Sequence, residues 1–88
     1  MKLNSPWKLG RRGKSLYLRL RFRDFRQSME FLREVGKILE ALEHHPDIWL
    51  SYNRVKLSLS THSVNGLTQK DFDLASRLEL LKEFSQPS

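Results

Sequence analysis

From Ser15 the chain alternates strictly, with Leu16, Leu18, Leu20 and Phe22 on one side and Tyr17, Arg19, Arg21 and Arg23 on the other. A period of two sends successive side chains to opposite faces, so this stretch predicts a half-buried strand with a polar face. The period then lengthens. Phe25, Met29, Leu32, Val35, Leu39 and Leu42 recur at steps of three and four, which predicts a helix from about 25 to about 43. Asp24, followed three residues later by Gln27, supplies a capping box at its start. Pro46 lacks an amide hydrogen and disfavours helical geometry at His45, so the helix has to stop near there. A second alternation runs from Arg54 to His62, with Val55, Leu57 and Leu59 opposed to Lys56, Ser58, Ser60 and His62; Trp49 to Tyr52 reads as its partner strand. After an Asn65-Gly66 turn, Thr68 and Asp71 form another capping box, and Phe72, Ala75, Leu78 and Leu81 stripe a closing helix to about Phe84. Ahead of all this, Trp7 to Leu9 reads as a short strand before a turn bounded by Gly10 and Gly13. The order β-β-α-β-β-α predicts a single α+β domain over residues 1–88, a four-stranded antiparallel sheet with both helices on one face.

The length of 88 residues sharpens where a site can lie. So small a domain buries only about 60–65% of its unfolded surface, so a sizeable site belongs at an edge or between subunits. The net charge of +6 is unevenly placed: residues 1–26 hold nine bases and one acid, a charge of +8, and the remaining 62 carry −2. The Arg19–Arg21–Arg23 ladder therefore reads first as the solvated side of a sheet, with ligand binding as the second reading. No helix carries a basic recognition face, so nucleic acid is not an expected partner. With no cysteine there is no disulfide, thiolate metal site or cysteine nucleophile. The sequence shows neither an apolar run near membrane length nor a charged-then-apolar leader, which sets the expectation of a cytoplasmic protein without membrane contact.

The candidate chemistry lies outside the basic third. His44, His45 and His62 fall within nineteen residues, the first two at the expected helix end. Carbonyls and the helix dipole there favour a protonated ring, and Glu40 stands four residues before His44, where a helical turn would let it orient the imidazole. Imidazoles exchange protons near neutral pH, so the cluster suits acid–base catalysis. Other readings stay open on spacing alone. Zinc would need three or four convergent ligands, with Glu40 and Asp71 adding oxygens, yet adjacent histidines point in different directions. A serine hydrolase would need Ser60 or Ser63 on a sharp turn, and neither has the G-x-S-x-G context. The histidines could equally just end a helix and a strand. Trp49 and Tyr52 suit either stacking on a planar ring or packing, and Asp71 is accounted for as the third residue of its capping box.

The run EHHPDIWLSYN from Glu43 to Asn53, followed by RVKLSLSTHSVNGLTQKD ending at Asp71, resembles the signature of the pterin-4a-carbinolamine dehydratases. The matching elements are His44-His45-Pro46, Tyr52-Asn53, Thr61-His62, Gly66-Leu67-Thr68 and Asp71, aligned without insertion. The likeness is close over residues 40 to 75 and looser upstream through Trp7, the strand to Phe22 and the Phe22-to-Phe25 segment. Many family members carry a further helix before the Trp; Trp7 stands near the start, which points to a short form. Asn65 stands where many relatives have Gly or Ala, a tolerable change because Asn accepts left-handed geometry.

The resemblance implies dehydration of a 4a-hydroxytetrahydropterin to quinonoid dihydropterin and water, in support of tetrahydrobiopterin recycling, with no metal and no organic cofactor. It implies His44 and His62 as the acid–base pair and His45 as the histidine that holds the pterin ring. Glu40 and Glu43 match acidic positions near the family's site, Ser60 and Thr61 a strand edge that contacts the pterin, and Asp71 the helix-start acid; Trp49 is a further candidate substrate contact. It also implies a homodimer or homotetramer built by sheet extension and helix packing. The alternative on the same fold is a non-enzymatic assembly or dimerisation factor, resembling a transcriptional coactivator or a Rubisco assembly protein, with the basic first third as its docking surface.

Overall fold

A computed structural model describes residues 7–42 and 44–81 and the backbone of 86–87. Two alternating stretches become the central strands: β2 (Ser15–Arg21) and β4 (Arg54–Leu59) pair antiparallel, with Leu16 opposite Leu59, Leu18 opposite Leu57 and Leu20 opposite Val55. Residues directly opposite share a face, so this register gathers the apolar set on one side. β1 (Lys8–Gly10) flanks β2 and β3 (Asp47–Ser51) flanks β4, giving the order β1-β2-β4-β3.

The helices α1 (Phe25–Ala41) and α2 (Gln69–Glu79) cover the apolar face. Phe31, Val35 and Leu39 from α1 and Leu74, Ala75 and Leu78 from α2 join the inward leucines, Phe22, Val55 and Trp7 in one buried cluster. The rings of Phe22 and Phe31 lie 5.0 Å apart and tilted by 42°. The chosen periodicities are thus satisfied at once: period two on the sheet and period 3.6 on the helices present matching apolar surfaces.

Element ends differ from the sequence reading for identifiable reasons. α1 begins as expected, the Asp24 carboxylate accepting the Gln27 amide at 2.9 Å, but the Gln27 side chain accepts the Arg23 amide (2.7 Å) instead of that of Asp24. It ends at Ala41, not 43, because Leu42 is already extended (φ −121°, ψ 138°). β3 starts at Asp47 and gives up Tyr52, which enters a two-residue turn with φ 53°. β4 stops at Leu59: Thr61 forms only an isolated bridge with Gly66, and His62 begins a short 3-10 turn, His62–Val64. α2 closes at Glu79, tightened by Leu80 and Leu81 amides donating to Arg77 and Leu78 carbonyls (3.2 and 3.0 Å). The expected end at Phe84 lies outside the described residues. A two-residue strand the periodicity does not reveal, β5 (Gln86–Pro87), pairs with β2 at Leu20 and Arg21.

Asn53 fastens the β3–β4 turn to the end of β2. Its carbonyl accepts the Phe22 amide at 2.7 Å, and its side-chain nitrogen donates to the Phe22 carbonyl at 3.0 Å. Among the described residues no helix is long and apolar enough to cross a membrane.

Candidate active site

Three chain segments meet at one carboxylate. Asp71, in the first turn of α2, is fully buried (0% exposed) and accepts from a residue of each neighbouring segment. His44, in the segment after α1, places Nε2 at 2.5 Å from Asp71 Oδ1. Thr61, past the end of β4, donates its hydroxyl to Oδ2 at 2.7 Å, and the Thr68 amide donates to the same oxygen at 2.9 Å. The hydroxyls of Thr61 and Thr68 are 2.9 Å apart. Since Thr61 has one proton and gives it to the carboxylate, the Thr68 hydroxyl donates to Thr61.

A buried carboxylate normally resists ionisation, and burial does push Asp71 up. The hydrogen bond from His44, those from the Thr68 amide and the Thr61 hydroxyl, and the attraction of the imidazole charge outweigh it, holding the carboxyl below its ordinary range. An ionised carboxylate can only accept, so His44 Nε2 carries a proton. In the neutral ring this leaves the lone pair on Nδ1, which has no protein hydrogen-bond partner among the described residues. The side chain of His44 keeps 17% of its surface exposed and lines a groove of about 560 Å³ with Ala41, Leu42, Lys70, Leu74 and Arg77. Asp71 thus fixes both the tautomer and the ring orientation of an imidazole that still reaches solvent.

The remaining candidates are distributed around this cluster. His62 is exposed, next in chain to Thr61, and starts a loop pinned at its base by the Thr61 and Gly66 amide–carbonyl pairs (2.7 and 3.3 Å). Asn65 closes that loop in the left-handed region (φ 50°, ψ 47°), the conformation for which Asn is suited. His45 is exposed and precedes the buried Pro46; Ser60 is half-buried. Glu40 is exposed in the last turn of α1, and because the helix ends at Ala41 its expected helical pairing with His44 does not form; Asp71 takes that role. Glu43 lies outside the described residues. Trp49 is not gathered in: it pairs with Lys56, five residues before Thr61, about 16 Å along the strand direction. Among the described residues no group of three His, Asp or Glu is placed to hold a metal ion. The Thr68 hydroxyl relay and the Asn53 brace escaped the sequence reading; the polar residues of the Gly-Leu-Thr and Tyr-Asn motifs were their only signal.

The model of the family described as pterin 4 alpha carbinolamine dehydratase matches residues 1–81. The chain belongs to this family. It is 43% identical over 81 residues to a Saccharolobus solfataricus protein assigned as a pterin-4-alpha-carbinolamine dehydratase, covering 92% of this chain and 82% of the relative. A Nostoc punctiforme protein with the same assignment is 45% identical over 67 residues, 76% of this chain and 72% of the relative. Among solved structures, a transcriptional coactivator/pterin dehydratase from Brucella melitensis superposes with a TM-score of 0.80 at 30% identity, covering 86% of this chain and 81% of that one. A pterin dehydratase-like RuBisCO assembly factor of the alpha-carboxysome shares the fold, with a TM-score of 0.75 at 20% identity over 89% of this chain and 90% of that one.

Proposed function

We propose that this protein dehydrates a 4a-hydroxytetrahydropterin to the quinonoid dihydropterin and water. The reaction breaks the C4a–O bond as the hydroxyl takes up a proton, while the adjacent ring nitrogen gives up its proton and its electron pair forms the new C=N bond. It therefore needs an acid and a base on one substrate, and no redox change. The observation that carries the reading is the His44–Asp71 pair: Asp71 holds Nε2 protonated and leaves Nδ1 as the atom that exchanges a proton with the pterin. His62, anchored through Thr61 to the same carboxylate, supplies the complementary proton transfer. His45 holds the pterin ring, and Ser60, Thr61, Glu40 and Glu43 serve as further substrate-binding residues.

In this reading the protein is a cytoplasmic enzyme of pterin recycling that works as a homodimer or homotetramer. β3 is the outer strand beyond β4, and the half-exposed Ile48 on it supports extension of the sheet by a second copy. The test is the dehydration of a synthetic or hydroxylase-generated 4a-carbinolamine at neutral pH. Acceleration over the spontaneous reaction that disappears in His62→Ala supports the reading; a wild-type protein no faster than buffer favours a non-enzymatic assembly or dimerisation role on this fold.

A further inference from the structure

The face of the sheet opposite the helices is basic and carries two aromatic rings. Register places Lys8, Tyr17, Ser58 and Asp47 in one row across it, Arg19, Lys56 and Trp49 in the next, and Arg21, Arg54 and Ser51 in the third. Five cations from β1, β2 and β4 thus share one surface, and among the described strand residues of that face Asp47 is the single acid. None of the five is ion-paired with a carboxylate among the described residues; the ion pairs among those residues lie elsewhere, at Arg23–Asp24, Lys37–Glu34 and His44–Asp71. Among the described residues the charge thus has no ion-pair partner, and Lys8, Arg19, Arg21 and Arg54 are exposed. Trp49 is 51% exposed, and Lys56 Nζ lies 4.9 Å from its ring centre and 5.8 Å from that of Tyr17, with the Arg19 guanidinium 5.5 Å from Tyr17. A trough of about 410 Å³ runs beside Trp49, lined by Arg19, Ser51, Arg54 and Lys56.

We infer that this face binds single-stranded nucleic acid, a role separate from the histidine site. Cations alternating with rings on an open sheet match a backbone of phosphates carrying flat bases, the phosphates meeting Arg19, Arg21, Arg54 and Lys56 and a base stacking on Trp49. A duplex hides its base faces, and the sheet offers no projecting helix to enter a groove, so the unpaired strand fits and the duplex does not. An acidic protein would use the charges and leave the rings without a purpose. The helices held no basic recognition face, and the sheet supplies one because pairing β2 with β4 sets Arg19 beside Lys56 and Arg21 beside Arg54.

Titration with a single-stranded oligouridylate or oligothymidylate, followed by tryptophan fluorescence, tests this directly. Of the two tryptophans Trp7 is buried (2% exposed), so a binding-induced change reports Trp49. The expected result is quenching, with an affinity that falls with salt at a log–log slope near −3 for about four neutralised phosphates. The Arg19→Glu/Arg54→Glu variant should lose at least tenfold in affinity with an unchanged thermal midpoint, and the neutral Lys56→Gln should lose less. Absence of quenching, equal binding of polyglutamate or heparin, or equal binding of a duplex of the same length each overturns the inference.

Discussion

His44 Nε2 and Asp71 Oδ1 approach to 2.5 Å although 27 residues separate them, one just past α1 and the other in the first turn of α2. The pair converts a helix-capping acid into the orienting partner of an imidazole. Asp71 does both because its two oxygens divide the work: Oδ1 meets the ring, and Oδ2 takes the Thr68 amide and the Thr61 hydroxyl.

Replacing Asp71 by Asn keeps the volume and offers the ring an amide that can donate, so His44 loses the preference for the Nε2–H tautomer. The dehydration kcat of Asp71→Asn should fall by on the order of 10²–10⁴-fold, the range seen when the orienting acid of a catalytic imidazole becomes an amide. Steady-state kinetics show whether the loss falls on kcat with little change in KM, as a positioning role requires.

The depressed carboxyl of Asp71 also links stability to pH. Its folded pKa lies below the unfolded value of about 3.9, so its contribution is full above that value and is lost as pH falls through the folded pKa. Asp24 is shifted the same way, chiefly by the Gln27 amide, so the wild type alone reports both. Urea midpoints measured from pH 7 to pH 2 should fall in acid for both proteins, and the stability difference between wild type and Asp71→Asn should shrink toward the acid end.

Thr61→Val removes the hydroxyl that bridges Thr68 and Asp71 without changing shape, leaving the Thr68 hydroxyl without its acceptor. The expected cost is about 1–3 kcal/mol, with Thr61→Ser restoring most of it. Equilibrium denaturation measures both.

Asn53→Ala deletes the side-chain bond to the Phe22 carbonyl while the main-chain bond remains. A loss of about 1–2 kcal/mol in stability is expected, with kcat per folded molecule unchanged, because the brace lies at the turn end of β4, away from Thr61.

The sheet and its covering helices were legible because β2, β4, α1 and α2 each keep one period over many residues. Their ends were not. Leu42 and Leu81 extend the apolar stripes past the helix ends at Ala41 and Glu79, and the alternation through Ser60 and His62 hides the turn that lifts His62 out of β4. The histidines stood out in the sequence, but the partner of His44 did not: Glu40 had the closer spacing, and only the packing of α2 against the end of β4 brings Asp71 into place. The arginine ladder read as a solvated face, and Arg19 and Arg21 are exposed; hidden in the sequence was the placing of Lys56 and Arg54 beside them, because one strand does not disclose its neighbours and only the register of β2 with β4 sets them there.

In the proposed reaction a carboxylate-oriented imidazole drives the loss of water from a pterin carbinolamine. The most direct measurement is the rate of disappearance of a 4a-hydroxytetrahydropterin at neutral pH with wild type, Asp71→Asn and His62→Ala compared at equal folded concentration. Clear acceleration by the wild type and a drop of at least a hundredfold in both variants is the predicted result. Undiminished activity in Asp71→Asn, or no acceleration by the wild type, would contradict it.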